Sequence, residues 1–210
     1  MTGKEDMGAE NEARRQTTGR TAQERPTEPG GQEGVGRRAD LPEGSLHIRR
    51  LCKRDAAEIA ALERKIFGTP WSEKMVEDSI AHGEEERQGV SYAALGAFLS
   101  QAENSDLQSF LGSKKEQLVG YLFAMAAAGE GELHRIATAP SFRRQGIGDV
   151  LIEALFSWFS GLGEGGIWLE VRAGNKAAVS LYKKHGFLET GRRKNYYQNP
   201  TEDASIFVYH

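Results

Sequence analysis

The stretch Arg143-Arg144-Gln145-Gly146-Ile147-Gly148 carries the residue types that a phosphate ligand needs. Two glycines let a backbone approach a ligand closely. A helix starting there offers N–H groups without intrahelical partners at the positive end of its dipole. Two arginines add charge, so the segment reads as a pyrophosphate cradle, although a glycine-led helix start also serves purely structural roles. No Lys-Ser/Thr pair follows Gly148, which excludes a Walker A loop. A bare Gly-x-Gly this late in the chain argues against a Rossmann fingerprint. The single Cys52 matches no nucleophile motif and reads as structural, and no Cys/His spacing suggests a metal site.

These groups need elements to hold them. Leu46-His47-Ile48-Arg49-Arg50-Leu51 alternates apolar and polar residues, as a first strand does. Asp55 is placed to cap a helix with Ile59, Leu62, Ile66 and Phe67 on one side. Gly68-Thr69-Pro70-Trp71 breaks it, and Ser72 caps a second, short helix to about Ile80. Strands are expected at 90–99 and 118–125, joined by a connection over 100–117 that is long and polar for a hairpin loop, with a helical turn at 107–111 as one option. A strand over 133–138 leads into the cradle. The helix beyond it presents Val150, Leu151, Ala154, Leu155, Trp158 and Phe159 as a broad apolar face. Apolar alternation slips between Leu133 and Ile136, which fits a bulge.

A strand over 167–172 then sets Ile167, Leu169 and Val171 on one face and Glu170 on the other. Asn175 is a good N-cap for the next helix, which Gly186 ends, and an antiparallel pair over 188–196 and 204–209 closes an α/β domain.

Composition divides the chain. Residues 1–44 hold 8 of its 25 glycines, 7 Lys+Arg and 9 Asp+Glu, with almost nothing large and apolar beyond Met1, Met7, Val35 and Leu41. Such a segment cannot offset its ordering entropy and is expected to be a disordered polar tail. It lacks the apolar core of a secretory signal, and its acidic residues argue against a transit peptide. Residues 45–210 then form one nearly neutral domain. A formal charge of -3 gives no general basic footprint for nucleic acid. No apolar run approaches the ~20 residues that span a bilayer. With one cysteine and no disulfide framework, a cytoplasmic protein is expected.

Four motifs in order carry a family resemblance. Arg143-x-x-Gly146-x-Gly148 at a strand–helix junction resembles the acetyl-CoA signature of the GNAT superfamily of N-acetyltransferases. Trp168-Leu169-Glu170-Val171-Arg172-Ala173-Gly174-Asn175, Ala178-Val179-Ser180-Leu181-Tyr182 with Gly186-Phe187, and Arg193-Lys194-Asn195-Tyr196-Tyr197 resemble one branch, the ribosomal-protein-alanine N-acetyltransferases, or RimI-like enzymes. Pro70-Trp71-Ser72-Glu73-Lys74 is similar to theirs too, so the likeness covers residues 46–210.

The resemblance implies a GNAT fold, with a mixed central sheet splayed between two strands and flanked by helices. It also implies acetyl-CoA as co-substrate and no metal. The expected acceptor is a protein N-terminal α-amino group, by resemblance the N-terminal alanine of a small-subunit ribosomal protein. Carried over by position, the general base falls on Glu170 and the general acid on Tyr182. Taken alone, the first is also an ordinary solvent-facing strand glutamate and the second an ordinary tyrosine of an amphipathic helix. Cofactor contacts fall on Ile136, Ala137, Thr138, Arg143, Arg144, Gln145, Gly146, Ile147, Gly148, Asp149 and Asn175. Asp149 stands where the family has a basic residue. Trp71, Tyr196 and Tyr197 match regions around the acceptor, with simple packing as the alternative. Glu132 and His134 are second candidates for the base. A lysine or small-amine acetyltransferase, or a non-catalytic acetyl-CoA-binding module, are the rival readings.

Overall fold

The computed structural model describes residues 46–84, 89–100, 116–163 and 165–210. The tail read over 1–44, and nearly all of the connection read over 100–117, lie outside these residues. Seven strands form one sheet in the order β1-β2-β3-β4-β5-β7-β6. They are β1 (Leu46–Arg50), β2 (Val90–Ser100), β3 (Glu116–Ala127), β4 (Glu130–Thr138), β5 (Ile167–Arg172), β6 (Leu188–Tyr197) and β7 (Glu202–Tyr209). Only β4 and β5 run parallel; the other neighbours are antiparallel. Four α-helices flank the sheet among the described residues: α1 (Ala56–Ile66), α2 (Glu73–Glu84), α3 (Ile147–Phe159) and α4 (Lys176–Lys184).

The long central strands β2 and β3 are apolar on both faces because each face is covered. On one side Ala97, Val119 and Leu122 meet Leu151, Ile152 and Leu155 of α3. On the other, Phe98, Tyr121 and Phe123 meet Ile59 and Leu62 of α1 and Val76 and Ile80 of α2. Gly120 sits where α3 crosses closest: a Cβ there would stand 2.9 Å from both the Ala137 carbonyl oxygen and Ile147 Cγ2.

The sequence-derived elements are in place, with β3 and β7 each two residues longer at their starts and three larger differences. The second helix runs four residues beyond Ile80, to Glu84. The strand over 133–138 begins earlier, at Glu130. Asp55 does not cap α1. It lies in the right-handed helical region with no cap bond, at the end of a 3-10 turn over 53–55. Its carboxylate is turned instead to the Cys52 N–H at 2.8 Å and to the Arg49 guanidinium at 2.8 and 2.9 Å. A charged hydrogen bond to a nearby arginine outcompetes the neutral cap. Burial alone would raise the Asp55 pKa; Arg49 and the Cys52 donors outweigh it and hold the carboxyl below its usual range. Ser72 does cap, taking the Met75 N–H at 3.2 Å.

The bulge expected between Leu133 and Ile136 falls on His134. Phe123 pairs with Arg135 and Ala124 with Leu133, so His134 has no partner on β3. Beyond it the sheet opens. The parallel pairing of β4 and β5 covers only Gly131–Leu133 against Ile167–Leu169. Past that point Ile136, Ala137 and Thr138 remain paired to β3 but have no β5 partner.

Candidate active site

Glu170 is the first residue of β5 past the last pair to β4, and so stands at the fork of the sheet. Strand alternation turns it away from buried Ile167, Leu169 and Val171. Its side chain is 13% exposed and lies in an ion pair with Arg193 of β6, at 2.8 Å. Beside it the Tyr196 phenol has its pKa raised, first by hydrogen bonding to Glu170 and then by burial. Tyr197 is also shifted upward, chiefly by burial and then by the charge of Glu170. The two rings meet edge to face, 5.1 Å apart.

Tyr182 reaches the same place from α4. Its ring is packed among Phe187 and Phe207, with centroids 5.7 and 6.1 Å away, and only 5% of the residue is exposed. Burial, followed by the influence of Tyr197, pushes its phenol well above the ordinary value, so the group is protonated at neutral pH. Glu170, Tyr182, Tyr196 and Tyr197, separated in sequence, are thus electrostatic neighbours. Glu132 also acts on Tyr196 across the fork. Glu132 and His134 lie 3.4 Å apart, each side chain about a third exposed.

The glycine segment opens α3 as expected, but its two glycines do different work. Gly146 has φ +83°, and a Cβ there would meet nothing within 4 Å, so it is the backbone conformation that requires glycine. A Cβ on Gly148 would stand 3.0 Å from Leu181 Cδ2, so this glycine serves the packing of α3 on α4. No side chain caps α3, whose first turn is closed by the hydrogen bond from the Val150 N–H to the Gly146 carbonyl at 3.1 Å. The preceding N–H groups are therefore free to receive an anion. Arg143 and Arg144 are exposed. The Gln145 amide donates to the Ser141 carbonyl at 3.2 Å, while its Oε1 is buried without a partner. An amide oxygen is an acceptor and a pyrophosphate offers only acceptors, so an anion here would be met by the N–H groups and not by Gln145 Oε1.

Asp149 contributes its backbone to this helix start and sends its side chain elsewhere. The carboxylate takes Lys184 at 2.6 Å and His185 at 2.8 Å, tying α3 to the end of α4. Burial alone would raise its pKa; these two donors hold it down. Asn175 caps α4, its Oδ1 accepting the Ala178 N–H at 3.2 Å. Ile136, Ala137 and Thr138 form the open edge of β4, whose chain runs directly into the cradle through Pro140–Phe142. An extended ligand anchored at the cradle can add to that edge as a strand does and reach Glu170 at the fork.

Four side chains of this site, Glu63, Arg135, Arg172 and Arg193, were not singled out from sequence. Glu63 of α1, with no exposed surface, takes the Trp71 N–H at 2.9 Å and two hydrogen bonds from Arg135 of β4. Arg135 lies over the rings of Phe67 and Trp71, at 4.0 and 4.9 Å, and the Trp71 ring packs 5.4 Å from Phe123. The charge of Arg135 also bears on Tyr197, lowering its pKa slightly against the larger upward effect of burial. Arg172 and Arg193 sat inside quoted motifs, but nothing local named their partners. Among the described residues no group of three or more His, Cys, Asp or Glu is placed to hold a metal ion.

Comparison with known proteins shows what the chain and its fold are similar to. A family model described as the acetyltransferase (GNAT) family matches residues 57–187. The [ribosomal protein bS18]-alanine N-acetyltransferase of Escherichia coli K12 is 31% identical over 143 residues, 68% of this chain and 80% of the relative. The crystal structure of the ribosomal-protein-S18-alanine N-acetyltransferase from Escherichia coli superposes with a TM-score of 0.60 at 28% identity, covering 78% of this chain and 92% of that one. Arabidopsis thaliana NAA60, solved in complex with acetyl-CoA, shares the fold with a TM-score of 0.63 at 17% identity, covering 79% of this chain and 98% of that one.

Proposed function

The chain belongs to the GNAT acetyltransferase family, in its ribosomal-protein-alanine N-acetyltransferase-like branch, and from that premise we propose that it acetylates the N-terminal α-amino group of a protein with acetyl-CoA as donor. The observation that carries this reading is the position of Glu170. It lies at the fork, past the last β4–β5 pair, with an open β4 edge on one side and Tyr196 and Tyr197 on the other.

In this reading the N–H groups from Gly146 to Asp149, with Arg143, Arg144 and Gln145, hold the pyrophosphate of the donor. Ile136, Ala137 and Thr138 hold its pantetheine arm, and Asn175 faces the donor from the start of α4. Trp71, Tyr196 and Tyr197 hold the acceptor. An α-amine has a pKa of ~8 and is largely protonated at neutral pH. Glu170 takes the proton, directly or through water. The freed nitrogen forms a bond to the thioester carbonyl carbon and sheds its second proton to solvent, backbone amides stabilise the oxyanion, and collapse to the amide breaks the carbon–sulfur bond. Tyr182 gives its proton to the departing thiolate and regains one from solvent. Transfer is taken as direct, since Cys52 matches no nucleophile motif. Glu132 and His134, on the other side of the fork, are the second choice for the base.

The favoured acceptor is an alanine-initiated small-subunit ribosomal protein, in keeping with the name of the Escherichia coli relative, and a cytoplasmic location follows from such a substrate. Among the described residues no helix is long and apolar enough to cross a membrane. The test is incubation with acetyl-CoA and a proteome-derived peptide library, with acetylated sites read by mass spectrometry. Acetylation of alanine-initiated termini is expected. Modification confined to lysines of N-terminally blocked peptides would assign the chain to internal-amine acetylation. Donor binding without turnover on any peptide would make it a non-catalytic module.

A further inference from the structure

The side chain of Arg172 makes more contacts than an ordinary surface arginine. It lies on β5 two residues beyond Glu170 and on the same face. Its Nη1 donates to the Pro200 carbonyl at 3.0 Å and to Glu202 Oε2 at 3.2 Å, and its Nη2 donates to the Gln198 carbonyl at 2.9 Å. The guanidinium carbon also lies 4.5 Å from the centre of the Tyr197 ring. One side chain therefore grips both the turn between β6 and β7 and the ring next to that turn.

Its partner extends the grip. Glu202 pairs opposite Tyr197 across the β6–β7 hairpin, and its other oxygen accepts the Gly174 N–H at 2.5 Å. A Cβ on Gly174 would stand 2.6 Å from that oxygen, so the contact requires glycine there. Gly174 directly precedes Asn175, the cap of the helix that carries Tyr182. Nearby, Asp203 fixes the hairpin from its other side, accepting the Asn195 N–H at 2.9 Å and, through its carbonyl, the Ala173 N–H at 3.0 Å.

We propose that Arg172 is a positioning residue for the acceptor side of the site: it locks the β6–β7 turn and the Tyr197 ring against the strand that bears Glu170, and through Glu202 ties both to the corner where α4 begins. This rests on the acetyltransfer reading above. The donors of Arg172 are turned to the turn and to Glu202, so the residue acts through Tyr197 and not on a reactant. A partly exposed ion pair adds little to stability by itself, so the role of the clamp is to fix geometry. Arginine is required because its planar fork serves two carbonyls and a carboxylate while its face lies on a ring; a lysine ammonium cannot do both. The donor cradle at Gly146–Gly148 lies on another element, and the clamp meets the donor side only through Glu202 at Gly174, beside Asn175.

The experiment compares the full-length protein with Arg172→Gln, Arg172→Lys and Glu202→Gln, using acetyl-CoA and a synthetic alanine-initiated peptide, alongside hydrogen–deuterium exchange of amides 195–203. Arg172→Gln should raise the KM for the peptide about tenfold or more while the KM for acetyl-CoA stays within about twofold. Exchange over 195–203 should speed up, and that at the start of α3 should not. Arg172→Lys should recover little of the loss. Glu202→Gln, which keeps shape and hydrogen-bonding oxygen, should show the same split at smaller size, and it serves if the arginine variants fail to fold. Equal rises in both KM values, an unchanged peptide KM, or full rescue by lysine would overturn the proposal. Wild-type protein that turns over no peptide, with faster exchange over 195–203 in Arg172→Gln, would sink the acetyltransfer reading while sustaining the clamp. Active wild-type protein with unchanged exchange and unchanged peptide KM in the variant would sink the clamp alone.

Discussion

The Glu63 carboxylate, with no exposed surface, is met by the Arg135 guanidinium through Nε at 2.9 Å and Nη2 at 2.7 Å. The Tyr121 hydroxyl donates to the same carboxylate, and the Trp71 N–H completes its shell. The pair joins α1 to β4 across 72 residues of chain and holds the loop that presents Trp71.

Removing one partner leaves a charge buried and alone. Arg135→Gln should therefore destabilise the fold by about 3–5 kcal/mol, read as a lower urea midpoint with an unchanged slope. Glu63→Gln combined with Arg135→Gln should cost clearly less than the two single changes added together, because the two amides can hydrogen-bond without an orphaned charge. Additive losses would show that the two residues do not act as a unit.

The roles given to Glu170 and Tyr182 predict a loss of turnover without loss of donor binding. Glu170→Gln should lower kcat by roughly 10²–10⁴-fold, and Tyr182→Phe by a smaller factor, with acetyl-CoA affinity by calorimetry unchanged. Because burial and Tyr197 hold the Tyr182 phenol above its ordinary value, it keeps its proton through the working range. Tyr182→Phe should therefore lower the pH–rate profile without changing its shape around neutral pH. Near-wild-type kcat across pH in both variants would remove both assignments.

How far the sequence could lead is clear from particular residues. Glu170, Gly146 and Asn175 were legible because each role is local: a strand face, a left-handed turn, a helix cap. The open edge at Ile136–Thr138 was legible too, since a bulge disturbs alternation within a few residues. Glu63 was not, for it sits among Ile59, Leu62 and Ile66, and only the distant Arg135 explains a charge there. Asp55 has the type and spacing of a cap, but Arg49, across the turn, took its carboxylate. Asp149 stands where the resemblance expects a basic residue, and its partners Lys184 and His185 lie a whole helix away. Nor does any periodicity say that β7 should insert between β5 and β6, so that Tyr196 and Tyr197 reach Glu170 from the far side of β7.

The different demands on the two cradle glycines yield a contrast. Gly146→Ala places a side chain at φ +83°, a left-handed conformation that costs about 1–2 kcal/mol, and it should turn the cradle N–H groups away from the donor. The KM for acetyl-CoA should rise while that for the peptide holds. Gly148→Ala directs its methyl toward the flexible end of Leu181, so its effect should fall on the packing of α4 and leave the acetyl-CoA KM within about twofold. Equal rises in the acetyl-CoA KM for the two variants would mean that Gly148, too, makes room for the ligand.

Two buried phenols predict how stability responds to alkali. Burial raises the pKa of Tyr182, and burial with the hydrogen bond to Glu63 raises that of Tyr121. An unfolded phenol loses its proton near pH ~10, whereas these two keep theirs while folded. Above about pH 10 the unfolded chain therefore binds fewer protons than the native one, and stability must fall as pH rises. Each phenol should contribute a slope of about 1.4 kcal/mol per pH unit, beginning at its unfolded value. Urea unfolding at several pH values from about 9 to 11 measures this, and Tyr182→Phe and Tyr121→Phe should each flatten the decline by one such increment. Curves for the variants that run parallel to the wild type would show that these hydroxyls titrate alike in both states.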